Sequence, residues 1–185
     1  MSLLCLVNLA ELHYHFGLIG LDEYEERCRV AEWLFDGSDQ DTDPRSRDGN
    51  EPAREGEAEL TPSDTAVAVQ RSASNNPQDP NHLSFSFLGW VFTKADPDPY
   101  PSTPHGHWKD QNNKWPKLDP YNGRAFRAKH NEDTAMRLKK PQMKVLWSDE
   151  RFKDFCRGHL VWYMEAQPHH VFRVGRDRIF KFPVW

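Results

Sequence analysis

Apolar residues recur at helical spacing through residues 2–16, where Leu3, Leu6, Val7, Ala10 and His13/Tyr14 share a stripe that Leu4, Leu9 and Leu12 widen. Gly17 and Gly20 bracket a turn. A second helix follows from Asp22 through Glu23 to Phe35, with acids in its first turn and Tyr24, Cys28, Ala31, Leu34 and Phe35 as its inner stripe. Gly37 ends it, so residues 1–36 read as a helical hairpin. The pattern then disappears. Residues 37–81 are rich in Asp, Glu, Ser, Pro and Gly, and Leu60, Val67 and Val69 are their only notable apolar positions. Such a segment buries too little surface to offset chain entropy, which predicts a disordered acidic linker.

From residue 82 the pattern becomes that of a mostly antiparallel sheet with packed helices. Leu83–Phe92 alternates and is aromatic, predicting one strand. Asp96–Pro104 carries prolines at 97, 99, 101 and 104 and reads as a loop. His105–Lys109 reads as a short strand, Asp110–Asn113 as a polar turn, and Trp115–Leu118 as extended chain. Asp119-Pro-Tyr-Asn-Gly123 is a turn from which Arg124–Ala128 pairs back. Residues 131–140 predict a short helix capped by Asn131. Ser148 is expected to cap a longer helix to about Glu165, with Phe152, Phe155, Cys156, His159, Leu160 and Tyr163 on its inner face. Val171–Val174 and Arg178–Phe182 predict a last hairpin. The order β-β-β-β-α-α-β-β defines an α+β fold: a helical hairpin (1–36), an acidic linker (37–81) and a basic α+β domain (82–185).

One run in the hairpin, Gly17-Leu-Ile-Gly-Leu-Asp-Glu-Tyr-Glu-Glu-Arg27, resembles the short signature of SHOCT-type oligomerisation hairpins. The resemblance covers about twenty of the 185 residues and implies self-association at most. A hairpin packed on its own C-terminal domain is the alternative.

Charge sharpens the division. The 185 residues carry a net charge of −4, but residues 1–81 hold 6 Lys/Arg against 17 Asp/Glu, and residues 82–185 hold 18 against 11. Seven of the nine His and six of the seven Trp also lie after residue 81. A basic, aromatic, His-rich domain suits an anionic partner, with RNA or another nucleic acid the first expectation and a merely solvated surface the alternative. A protein inhibitor, or a second copy held through residues 1–36, is the other expected partner. Three scattered cysteines without Cys-x-x-Cys spacing argue against a disulfide framework. No stretch approaches a membrane span, the apolar start lacks a basic flank, and a cytoplasmic location is expected.

The sharpest chemistry lies in Pro104-His105-Gly106-His107-Trp108. On a strand His105 and His107 point the same way and Gly106 the other. Two imidazoles with a Lys or Arg nearby would cleave RNA without a metal: one takes the 2′-hydroxyl proton, the other protonates the leaving oxygen, and the cation stabilises the phosphate. Lys117 and Arg124, on the following hairpin, are the expected cations. Trp108, Trp115 and Tyr121 are expected to be exposed for base stacking, with Lys129 and His130 beside them. Trp90, Trp147 and Trp162 are expected in the core, as is Cys156. Metal-free ribonuclease chemistry of bacterial toxin type, with no cofactor, is the leading expectation. A non-enzymatic binding module comes second. Third is a metal-dependent hydrolase in which His130, His159 or the His169-His170 pair completes the ligand set. No P-loop, dinucleotide fingerprint or nucleophile elbow is present in the sequence.

Overall fold

The computed structural model describes residues 3–36, 42–46, 84–94 and 96–166. Two helices, α1 (Leu3–His15) and α2 (Leu21–Phe35), precede a meander of six strands: β1 (Ser84–Phe87), β2 (Trp90–Thr93), β3 (Gly106–Trp108), β4 (Lys117–Leu118), β5 (Ala125–Ala128) and β6 (Asn131–Glu132). A 3₁₀ turn over Thr134–Met136 leads to α3 (Lys140–Ser148) and α4 (Glu150–Ala166). Every strand pairs antiparallel with the next, in the order β1-β2-β3-β4-β5-β6. The α+β architecture expected from the sequence is present.

Alternation explains which face of the sheet is buried. Phe85, Phe87, Trp90, Phe92, Leu118 and Ala125 face a single core that also takes Leu6, Leu9 and Phe16 of α1, Val30 and Leu34 of α2, and Phe152, Cys156 and Leu160 of α4. Each such side chain contributes about 1.5–3 kcal/mol on burial, against ~0–1 kcal/mol for an exposed ion pair. Apolar packing therefore holds the helical pair to its own sheet. Gly106 joins this face for lack of space: a Cβ there would lie 3.0 Å from the Phe92 ring. The flanking histidines are thereby turned to the other face.

Several expectations need correction. Leu83–Phe92 is two strands joined at Leu88-Gly89, where φ is 48° and 82°; alternation continues through a two-residue turn of this kind and hides it. The region expected as a helix over 131–140 is β6 followed by the 3₁₀ turn, whose cap is Asp133 rather than Asn131. Ser148 closes α3, and the Asp149 carboxylate accepts the Arg151 N–H at the start of α4. The inner stripe of α2 is rotated: Arg27, Val30, Ala31, Trp33 and Leu34 are buried, while Tyr24, Cys28 and Phe35 are only partly so. Trp162 is half-buried rather than core. Within the segment read as a disordered linker, residues 42–46 form a turn whose Arg45 is buried, donating to the carbonyls of Asn122 (3.0 Å) and Leu138 (2.8 Å). The rest of that linker, the expected last hairpin and His169-His170 lie outside the described residues. Among the described residues no helix is long and apolar enough to cross a membrane.

Candidate metal centre

The strand pattern puts His105 and His107 side by side, their ring centroids 4.7 Å apart and both side chains buried. Their common target lies in the Pro-rich loop before them. His107 Nε2 is 2.7 Å from Asp96 Oδ2, and His105 Nε2 is 3.1 Å from the same oxygen. His105 Nε2 nevertheless has no hydrogen-bond partner among the described residues. One ligand atom from each of Asp96, His105 and His107 falls within 4.8 Å of the other two.

The atoms turned away from this point are all engaged by backbone. His107 Nδ1 faces the Asn113 carbonyl at 2.5 Å, and His105 Nδ1 faces the Ser102 carbonyl at 3.0 Å. A carbonyl only accepts, so each ring carries its proton on Nδ1 and, when neutral, presents a lone pair at Nε2. Asp96 Oδ1 accepts the Asp98 N–H at 2.9 Å, which leaves Oδ2 for the two rings. With both rings neutral, two lone pairs and a carboxylate oxygen thus converge, an arrangement that a metal cation satisfies; with both rings protonated, the two Nε2–H groups and Oδ2 satisfy one another. Burial pushes the Asp96 carboxyl up, but hydrogen bonds from His105 and His107, which require a proton at Nε2 as well as at Nδ1, hold it far below the usual carboxylate range, so with the rings protonated Asp96 is itself their partner.

This donor set fits a borderline metal such as zinc or ferrous iron: two imidazoles and one carboxylate, each oriented by an outer partner, with coordination positions left over for water or substrate. Tetrahedral ligands ~2.1 Å from a common ion sit roughly 3.4 Å apart; Asp96 Oδ2 lies 2.7 and 3.1 Å from the two Nε2 atoms, and the three ligand atoms lie within 4.8 Å of one another. Of the histidines expected to complete a metal site, His130 lies exposed at the β5–β6 turn with φ 59°. His159 is buried on α4, and its Nδ1 has no partner among the described residues. Burial, then the charge of His105, lower its pKa to about 4 against the pull of Asp96.

The other expected site residues divide. Lys117 pairs directly with His107 across β3 and β4, and its Nζ is held by Asp98 Oδ2 at 2.5 Å. Trp115, half-buried, lies with its ring 5.6 Å from that Nζ, and Tyr100 joins Trp115 to His130 and to Lys129 Nζ, 5.8 Å from its ring. Trp108 alternates to the opposite face from His107 and packs on Trp90 at 5.1 Å, so it is half-buried away from the pair. Tyr121 is fully buried, donating its hydroxyl to the Thr103 carbonyl, and offers no stacking surface. Arg124 is tied to Glu26, Glu132 and the Arg45 carbonyl, a structural junction rather than a free cation. Sequence reasoning missed Asp96, Asp98 and Tyr100. The Asp-Pro-Asp-Pro-Tyr spacing was the available signal, since each Asp caps the N–H two residues on.

No family model matches the chain, and no curated protein or solved structure does either.

Proposed function

We propose that the chain is a metal-dependent hydrolase of anionic esters, with nucleic acid as its substrate class, built on Asp96, His105 and His107. The observation that supports this reading is the convergence of Oδ2 and two Nε2 lone pairs whose opposite atoms are engaged by backbone groups. A metal held by three protein ligands keeps a position for water and lowers its pKa toward ~7. In the hydrolysis proposed, the water oxygen bonds to phosphorus while the bond to the leaving oxygen breaks. The leaving oxygen takes a proton that the water gives up, so that one ester and one water yield one phosphate-ended and one hydroxyl-ended product. The basic balance after residue 81, and the Lys–aromatic pairs around Tyr100 and Trp115, support a polyanion as substrate.

A second reading keeps the imidazoles metal-free as the acid and base of a ribonuclease. The pairing of Lys117 with His107 favours it, because that register sets a cation beside the rings. One experiment separates the two: total RNA incubated with purified protein, with and without EDTA, beside a His105→Ala/His107→Ala variant and Asp96→Asn. Cleavage abolished by EDTA and restored by one metal supports the metal reading. Cleavage that survives EDTA and is lost only without the histidines overturns it in favour of the second. Intact RNA throughout leaves the chain a binding module.

A further inference from the structure

Lys117 is an asymmetric ion pair. Its side chain is 4% exposed, whereas that of its partner Asp98 is 50% exposed. A buried ammonium requires an anion, since leaving it unpaired costs far more than an exposed charge does. The carboxylate that supplies this anion is half in water and stands on a loop arm, Asp96-Pro97-Asp98-Pro99-Tyr100, whose first residue is the acidic member of the candidate metal centre. The half-exposed Asp98 carboxylate can turn into water only if another anion takes its place on Lys117, which is buried and cannot follow it. The two halves of the arm are joined by a hydrogen bond, the Asp98 N–H donating to Asp96 Oδ1 at 2.9 Å.

Lys117 also lies where a second anchor would be needed. It pairs with His107 across β3 and β4, so both side chains leave the same face of the sheet. The Tyr100 carbonyl, 3.3 Å from Nζ, is its other partner, and the Trp115 ring flanks it. We propose that Lys117 is the oxyanion-binding group of the site, and that the Asp98 carboxylate occupies its place until a phosphate group bound at the Asp96–His105–His107 centre displaces it. The ligand class is a phosphate ester carrying at least one anionic oxygen. This deepens the metal-centre reading and rests on it, because the metal supplies the anion's first anchor.

The test uses the full chain with one equivalent of cobalt(II), whose visible d–d bands report both loading and a change of ligand, and inorganic phosphate as the probe. Asp98→Asn leaves the backbone N–H that orients Asp96 in place and removes the internal competitor. It is expected to bind cobalt like the wild type and to tighten phosphate about tenfold. Lys117→Met in the same background is expected to reverse that gain. Asp110→Asn, which removes an exposed acid from the β3–β4 turn, controls for net charge and is expected to leave phosphate affinity unchanged. Cobalt binding with equal phosphate affinity in the wild type, Asp98→Asn and Asp98→Asn/Lys117→Met overturns the inference and leaves the metal centre standing. An equal gain in Asp110→Asn overturns it too. No cobalt bands in the wild type overturn the metal reading and the two-anchor site with it.

Discussion

At the scale of single residues, the site depends on orientation as much as on identity. Asp96→Asn keeps size and one acceptor but removes the charge that faces two lone pairs. Losing an outer-shell partner costs about 10–100-fold in metal affinity, and losing this ligand is expected to cost more; calorimetric titration of zinc into the variant and the wild type measures it. A second residue-scale prediction concerns His13, fully buried with its ring nitrogens 2.6 Å from the carbonyls of Leu9 and Thr103. Burial, then the charge of Arg27, lower its pKa from 6.5 to about 3 against the pull of those carbonyls. Burial thus favours the neutral ring in the fold, whose one N–H serves only one of the two carbonyls, while the unfolded chain protonates at its ordinary value. Its contribution is whole above pH 6.5 and is lost as pH falls from 6.5 toward 3, at about 1.4 kcal/mol per pH unit. Urea unfolding of the wild type and His13→Gln between pH 7 and 4.5 is expected to show a flatter dependence in the variant. The His-x-His pair was legible because strand alternation is a local rule. Asp96 was not, because its approach depends on how a proline-punctuated loop folds back nine residues before His105.

Among elements, β3 shows how a core packing demand places chemistry on the opposite face. Gly106 meets Phe92 and Trp90 where any Cβ would crowd them, and its neighbours His105 and His107 are turned outward as a consequence. Gly106→Ala is expected to destabilise the fold by about 1–3 kcal/mol through overpacking. By displacing β3, it should also weaken metal binding, which separates it from an ordinary core defect; denaturant midpoints and zinc titration read the two effects. Long amphipathic elements were readable in the sequence: Phe152, Cys156, His159, Leu160 and Tyr163 of α4 are buried as the spacing predicts, with Phe155 only partly so and Lys153 buried beside them, and β5 pairs with β4 as Asn122-Gly123 implied. The split of Leu83–Phe92 was hidden because Leu88 takes a left-handed φ that leucine seldom adopts. The stripe of α2 was misread for a different reason. Arg27 sits on the inner face because Asp119, distant in sequence, faces it from the β4–β5 turn.

That arginine decides how the whole molecule behaves. Arg27 is fully buried, bonded to Glu23 at 2.6 Å, 3.6 Å from Asp119, and stacked 4.1 Å from the Tyr121 ring, so it joins the helical pair to the sheet at the centre of the chain. Around it Arg124 reaches Glu26, and Arg45 reaches the carbonyls of Asn122 and Leu138. A helical pair that served only as an assembly module would unfold separately from the sheet domain. A pair that shares one core and one buried charge with the sheet unfolds with it. Urea unfolding followed by a fluorophore on the partly exposed Cys28 of α2 and by loss of sheet circular dichroism is therefore expected to give coincident transitions; two separated transitions would restore the independent hairpin. Arg27→Met strands Asp119 without its cation and is expected to lose about 3–5 kcal/mol, while Arg27→Met/Asp119→Asn should recover much of that, because a removed buried pair costs less than a broken one. The recovery distinguishes a charge shared between helix and sheet from mere loss of packing volume, which the second substitution would not repair.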